Sequence, residues 1–374
     1  MKLIQIKPVL HKFENIKEFI DEFKISQGDC IFTVKFLYKT FLEPLNLTEI
    51  EYLFFEDYGS SEPSDEIINK ILLDISNKNN KITRIIAIGG GSVIDIAKLL
   101  TLKNTGNALQ FFEKSVEIKK EKELILIPTT CGTGSEVTNI SIAEIKSKST
   151  KMGLVHDELF ANHAVLIAEL VKELPFVFFA ASAIDALVHA MESFLSPKAT
   201  PLTEIFSIKA INMILSGFKQ IIERDKEYRK LLIEDFLLAS AYAGIAFGNA
   251  GVGAVHALSY PLGSNYHVPH GEANYQFLTS VFNLYQEKNP NGKIKTLNSI
   301  IVEVINSNSK NIYDDLEKFL DKILSRKPLK DYGMKETEIK SFANSVITEQ
   351  QRLLGNSYIS LSLEELEGVY RGLY

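Results

Sequence analysis

The sequence predicts an α/β domain built on a parallel sheet and followed by an all-helical domain, and three observations carry that expectation. Short β-rich runs alternate with helix-period segments through the first half of the chain. After Leu174-Pro175 the texture changes, and long helical patterns follow one another with few strand candidates. The length, 374 residues, exceeds one average domain, so two are expected, divided as residues 1–177 and 178–374.

Residues 30–34, 84–88 and 124–128 read as buried strands, because each is short, β-branched or aromatic, and bounded by turn or charged residues. Between them, residues 64–77 and 93–103 carry apolar side chains at helical spacing. Strand, helix and strand repeated in this way imply parallel strands with helices on both faces. Downstream, residues 182–195, 203–224, 231–247 and 313–324 read as helices. Asn289-Pro290-Asn291-Gly292 and Lys327-Pro328 mark loops.

The bulk composition excludes several functions. A balance of 41 basic against 47 acidic side chains, formally −6, argues against a nucleic-acid or anionic-membrane surface. Two cysteines, Cys30 and Cys131, do not make a disulfide framework and suit a reducing compartment. The N-terminus lacks a signal-peptide core, and no uncharged apolar run approaches the roughly 20 residues that cross a bilayer. A cytoplasmic chain with no membrane partner is expected.

Two turns carry candidate chemistry in the first half. Residues 85–88 run into Gly89-Gly90-Gly91-Ser92, with a helix starting near Val93. Glycines there would let the backbone approach a pyrophosphate and adopt positive φ, while the helix start presents free N–H groups to the anion. This is not the G-x-G-x-x-G fingerprint, and a plain strand-to-helix turn is the competing reading. The second turn, Pro128-Thr129-Thr130-Cys131-Gly132-Thr133-Gly134-Ser135-Glu136, follows the next strand. Its hydroxyls suit phosphate, ribose or nicotinamide groups at the carboxyl edge of a Rossmann-like sheet, although Ser135 would serve equally as a helix cap. Cys131 reads as a buried filler, since no base or cation stands beside it in sequence.

The histidines cluster. Three of seven, His256, His267 and His270, fall within fifteen residues, and upstream Asp185 and His189 sit at i and i+4 of a helical run. One carboxylate with imidazoles is an O/N donor set for Fe(II), Zn(II) or another first-row divalent ion. A divalent ion with one carboxylate ligand keeps net positive charge, which lowers the pKa of a bound alcohol. Each part has an ordinary alternative: a surface Asp-x-x-x-His pair, a core histidine at 256, a loop histidine at 270. Joint presence downstream of two nucleotide-type turns favours the metal. His11, His156 and His163 lack such context and read as structural.

These motifs resemble the iron-containing (group III) alcohol dehydrogenase family, whose architecture dehydroquinate synthases share. The likeness runs from Gly89-Gly90-Gly91-Ser92-x-x-Asp95-x-x-Lys98 to Pro269-His270-Gly271. Residues 243–256 and 267–274 carry a nearer likeness to members that act on 4-hydroxybutyrate in fermentative anaerobes. The resemblance implies metal ligation by Asp185, His189, His256 and His270, with Fe(II) ahead of Zn(II). It implies pyrophosphate binding at Gly90, Gly91 and Ser92, cofactor contacts from Asp95, Thr129, Thr130, Thr133 and Ser135, and a looser match at Lys151.

Two departures stand out. Many members carry a further histidine four residues after the third ligand, where this chain has Tyr260; His267 or the Tyr260 hydroxyl is then the candidate for proton transfer or substrate contact. NAD-using members often carry Asp after the first strand's threonine, where this chain has Val34 after Thr33, so NAD is expected with NADP not excluded. The reaction implied is hydride transfer between a nicotinamide and a small hydroxy acid, 4-hydroxybutyrate, or its semialdehyde, in a homo-oligomer, most simply a dimer. The alternatives are another small primary alcohol or diol as substrate, a dehydroquinate synthase-type cyclase or lyase, and a non-catalytic binding protein. A phosphorylated substrate would call for Lys or Arg near the metal loops, and residues 244–275 contain none.

Overall fold

A computed structural model describes residues 2–59, 63–78, 82–103, 105–148, 150–307 and 311–374. Contacts divide the chain into two compact units. Residues 6–130 and 134–174 form one; residues 175–374, together with 1–5 and 131–133, form the other.

The first unit is built on a six-stranded sheet whose spatial order is Val9–Phe13, His163–Ile167, Glu123–Pro128, Arg84–Gly89, Asp29–Thr33, Glu51–Phe54. Its strands are β1 (Val9–Phe13), β2 (Asp29–Thr33), β3 (Glu51–Phe54), β4 (Arg84–Gly89), β5 (Glu123–Pro128) and β8 (His163–Ile167), all paired in parallel. Alternating side chains feed two cores, as the strand period requires. Cys30, Phe32, Ile85, Ala87, Leu124 and Leu126 pack into one cluster; Ile31, Ile86, Ile88, Ile125 and Ile127 pack into the other. Parallel strands with helices on both faces are therefore as expected. The sequence reading missed β1, β3 and β8, and also the antiparallel hairpin of β6 (Ile140–Ile145) and β7 (Thr150–Val155). β1 lies at a sheet edge with Val9 and Leu10 exposed, and β3 has four residues, so neither carries the apolar signature of a central strand.

From β2 the chain steps outward to β3 and then returns to β2's other flank for β4. That reversal makes the carboxyl ends of β2 and β4 the switch point of the sheet, the usual ligand position on an open parallel sheet. Val34, just past β2, and Gly90, just past β4, both lie there.

The second unit is helical. Its centre is the helix Phe176–Leu195, packed by Pro201–Glu223, Ile233–Ala250 and His270–Lys288. By length and composition two of these, Phe176–Leu195 and Pro201–Glu223, are apolar enough to cross a membrane. The sequence reading set such spans aside because no uncharged apolar run is long enough, and Phe176–Leu195 does carry Asp185, His189 and Glu192, all buried. Its apolar faces meet neighbouring helices on several sides, which accounts for near-continuous hydrophobicity in a core helix.

Candidate metal centre and nucleotide turns

Asp185 and His189 lie one turn apart on the Phe176–Leu195 helix, as their spacing requires. His256 is in the first turn of Ala254–Tyr266, and His270 begins His270–Lys288. One donor atom from each of these four side chains lies within 4.8 Å of all the others. The imidazole rings of His189 and His256 have centroids 4.7 Å apart, and those of His256 and His270 are 5.3 Å apart. Phe247 stacks on the His189 ring at 4.3 Å and closes one side.

Close backbone approach makes this convergence possible. A Cβ on Gly271 would stand 2.3 Å from the Ala181 carbonyl oxygen and 3.1 Å from Asp185 Cβ. Glycine after His270 therefore lets the start of that helix press against the Asp185 helix. Ser259 Oγ donates to Asn274 Oδ1 (2.5 Å), which orients the amide so that Asn274 Nδ2 donates to Asp185 Oδ1 at 2.7 Å.

The buried ring nitrogens test whether an ion fits. Nearly all buried polar atoms in folded proteins have partners. Here His189 Nδ1 and His256 Nε2 are buried with none. In each ring the other nitrogen is engaged: the Gly132 backbone bonds His189, and Glu192 bonds His256 Nδ1 at 2.7 Å. Burial holds His189 down at about 3 against the opposing pull of the Asp185 carboxylate, so its ring is neutral with a lone pair to offer. Burial pushes the Asp185 carboxyl up, but the three imidazoles and the Asn274 amide outweigh it and hold it below the usual carboxylate range. Two orphaned lone pairs beside a carboxylate and a third imidazole match what a divalent cation needs.

Tyr260 lies one turn beyond His256, half-buried, with its ring 6.4 Å from that of His270. His267 is exposed and closes the same helix in a left-handed conformation (φ 54°). Of the two candidates for proton transfer, Tyr260 packs beside the cluster and His267 faces solvent. His11 and His163 hydrogen-bond each other, and His156 caps a short turn, so all three remain outside it.

The two glycine- and threonine-rich turns show a different pattern of bonds. The helix Gly91–Leu100 begins with no side-chain cap, so its first N–H groups stay open to an anion. No residue from Gly89 to Gly91 has positive φ; the expected left-handed glycine is a wrong reason for this turn. Gly90 instead leaves space, since a Cβ there would meet only the Thr130 methyl at 3.7 Å. The Thr129 N–H donates to the Gly89 carbonyl (3.0 Å) and ties the two turns together.

Asp95 and Ser135 bond each other, Lys98 Nζ donates to Ser135 Oγ (2.5 Å) and Thr138 Oγ1 (3.2 Å), and Asp95 Oδ2 accepts from the Ile142 N–H (3.0 Å). Both side chains thus brace the fold, which sequence alone did not reveal. Thr133 joins the helical unit together with Cys131 and Gly132, while Lys151 lies in β7 opposite Glu144. Cys30 and Cys131 are buried and form no disulfide; burial pushes the Cys30 thiol up to about 12.

An open parallel sheet with phosphate-type turns and a helical unit carrying a His-rich cation cluster define a metal-dependent nucleotide-linked enzyme architecture. The chain belongs to the iron-containing alcohol dehydrogenase family. The model described as "Iron-containing alcohol dehydrogenase" matches residues 10–168, and "Fe-containing alcohol dehydrogenase family, C-terminal" matches residues 179–374. It is 55% identical over 374 residues, all of both chains, to a 4-hydroxybutyrate dehydrogenase of Clostridium kluyveri. Among solved structures, a 1,3-propanediol oxidoreductase superposes with a TM-score of 0.87 at 23% identity, covering 100% of each chain. A sulfoacetaldehyde reductase from Bifidobacterium kashiwanohense, solved with NAD+, superposes at 0.84 and 22% identity, covering 99% of this chain and 98% of that one. At these identities the two structures speak for the fold.

Proposed function

We propose that this chain is a metal-dependent, NAD(P)-linked alcohol dehydrogenase that interconverts 4-hydroxybutyrate and succinate semialdehyde. The observation that carries the metal reading is the pair of buried, partnerless nitrogens, His189 Nδ1 and His256 Nε2, facing Asp185 and His270. The substrate reading draws on the full-length likeness to a 4-hydroxybutyrate dehydrogenase. Residues 1–177 are assigned to the nucleotide and 178–374 to the metal and the substrate, with Cys131, Gly132 and Thr133 packing in the second unit.

When bound, the ion supplies a Lewis acid for the alcohol or carbonyl oxygen, and the nicotinamide supplies or accepts the hydride. The protein's share is placement. Asp185, His189, His256 and His270 are the ligands, with Fe(II) the first candidate and Zn(II) the second. Asn274 holds the Asp185 carboxylate in its orientation. The N–H groups at Gly91 and Ser92 receive the pyrophosphate, the space over Gly90 admits it, and Thr129, Thr130 and Thr133 supply hydroxyls to the nucleotide. Tyr260 is the donor for proton transfer to the substrate oxygen, since His267 is exposed at the helix end. Val34 puts no carboxylate near the ribose, so NADP is admitted beside NAD. A cytoplasmic homo-oligomer, simplest a dimer, completes the reading.

The test is a spectrophotometric screen of hydroxy acids and diols after anaerobic Fe(II) loading, with NAD and NADP in parallel. Reduction of NAD by 4-hydroxybutyrate, with a higher kcat/KM than for 1,4-butanediol, is expected. Equal rates with the uncharged diol would remove the hydroxy-acid assignment.

A further inference from the structure

Glu192 is not one of the four proposed ligands, yet it is 3% exposed within a helix that is otherwise apolar over most of its faces. It stands one turn beyond His189 and two beyond Asp185, on the same helical face. A buried carboxylate is expensive unless donors meet it, so its partners define its purpose. They come from one segment of another helix. Oε1 accepts from the Val255 N–H at 2.7 Å; Oε2 accepts from the Gly253 N–H at 3.0 Å and faces His256 Nδ1 at 2.7 Å. That helix, Ala254–Tyr266, has glycine at its cap and no side-chain cap of its own. A carboxylate at this point meets open N–H groups and the positive end of the helix. Gly253 permits the approach, since a Cβ there would lie 3.2 Å from Glu192 Oε1.

A carboxylate that already accepts two backbone N–H groups offers only acceptors to the imidazole, so His256 Nδ1 carries the proton and donates. The lone pair is then left on Nε2, the atom that is buried without a partner. We propose that Glu192 is the positioning residue of the metal centre: its bond to His256 Nδ1 selects the ring tautomer whose Nε2 is free to bind a divalent cation. The inference rests on the metal reading above and goes beyond its four ligands. Carboxylates in this relation to a ligating histidine fix ring orientation and strengthen the ligand.

The test uses Glu192→Gln, His256→Ala and wild type, with Zn(II) as the probe and its dissociation constant measured by chelator competition. Gln matches the shape but sets an NH2 group against an N–H donor, which drives His256 towards the other tautomer. Zn(II) affinity in Glu192→Gln is expected to fall about 10- to 100-fold while the folded chain retains its secondary structure. A merely structural cap would lower Tm and leave the affinity of the folded chain unchanged, and that result overturns the proposal. Imidazole ¹⁵N shifts of the wild-type Zn(II) form supply a reading that no variant needs to survive folding for. A proton on His256 Nδ1 is expected, and one on Nε2 overturns it. His256→Ala separates the two layers: undiminished Zn(II) binding there removes the metal site itself, whereas weakened binding there with no effect of Glu192→Gln removes only Glu192.

Discussion

The metal cluster and the Asp95 network are both buried polar constellations, but they differ in what they leave unsatisfied. Around Asp95, Ser135 and Lys98, carboxylate, hydroxyl and ammonium answer one another and the Ile142 N–H and Ile140 carbonyl. In the cluster, Gly132, Glu192 and Asn274 hold His189, His256 and Asp185 from outside, yet His189 Nδ1 and His256 Nε2 meet no donor. Unsatisfied buried acceptors that converge on one point mark a ligand; satisfied ones mark a brace. The distinction turns residue lists into roles and can be broken experimentally.

The largest effect is expected at Asp185, the one carboxylate among the four proposed ligands. Asp185→Ala should lose on the order of 10³-fold or more in kcat/KM together with bound metal. Full metal content with this loss of rate would move Asp185 out of the ligand set.

Next come two glycines that the structure treats oppositely. Gly271→Val must displace the Ala181 carbonyl 2.3 Å away, and it should cost about 3 kcal/mol along with much of the metal affinity. Gly90→Ala meets only a methyl at 3.7 Å, so its Tm should change little while NADH binding weakens. Unchanged NADH affinity in a folded Gly90→Ala protein contradicts the pyrophosphate reading.

Glu136 sharpens the comparison through pH. It lies beside Ser135, buried, with no hydrogen bond from another residue to either carboxyl oxygen. Burial raises its carboxyl to about 7 from the ordinary 4.5, so the native chain holds this proton more tightly than the unfolded chain does. Between about pH 4.5 and 7 its contribution to stability is therefore lost as pH rises. Glu136→Gln should remove that slope and stabilise the protein at pH 8 by about 2–3 kcal/mol, read by denaturant unfolding. Parallel stability curves for the two proteins would show that the carboxyl is solvated or paired. Ser135→Ala, which deletes one strut, should cost about 1–3 kcal/mol and leave NADH affinity nearly unchanged. Loss of affinity with no loss of stability would return Ser135 to the cofactor contacts.

Much of this was legible in the sequence, for reasons tied to particular residues. Central strands such as β4 are apolar on both faces and announce themselves, whereas the edge strand β1 has polar and exposed positions and does not. Asp185 and His189 were found because helical spacing puts i and i+4 on one face. Glu192, at i+7 on that face, carries the same signal, but its partners lie 61 to 64 residues away, beyond what local spacing shows. Gly271 belongs to a motif visible in the sequence, but its reason, a backbone carbonyl from another helix, exists only in three dimensions. The mutual bond of Asp95 and Ser135 is not legible in sequence, which cannot tell a hydroxyl aimed at a cofactor from one aimed at a neighbouring carboxylate.

The claim on which the rest depends is that four side chains hold one divalent ion, and a Co(II) titration of the metal-free protein under anaerobic conditions tests it most directly. About one equivalent per chain should bind, with the intense visible bands of low-coordinate nitrogen and oxygen ligation, and His270→Ala should abolish them. Bands absent from the wild type, or present unchanged in His270→Ala, would contradict the account.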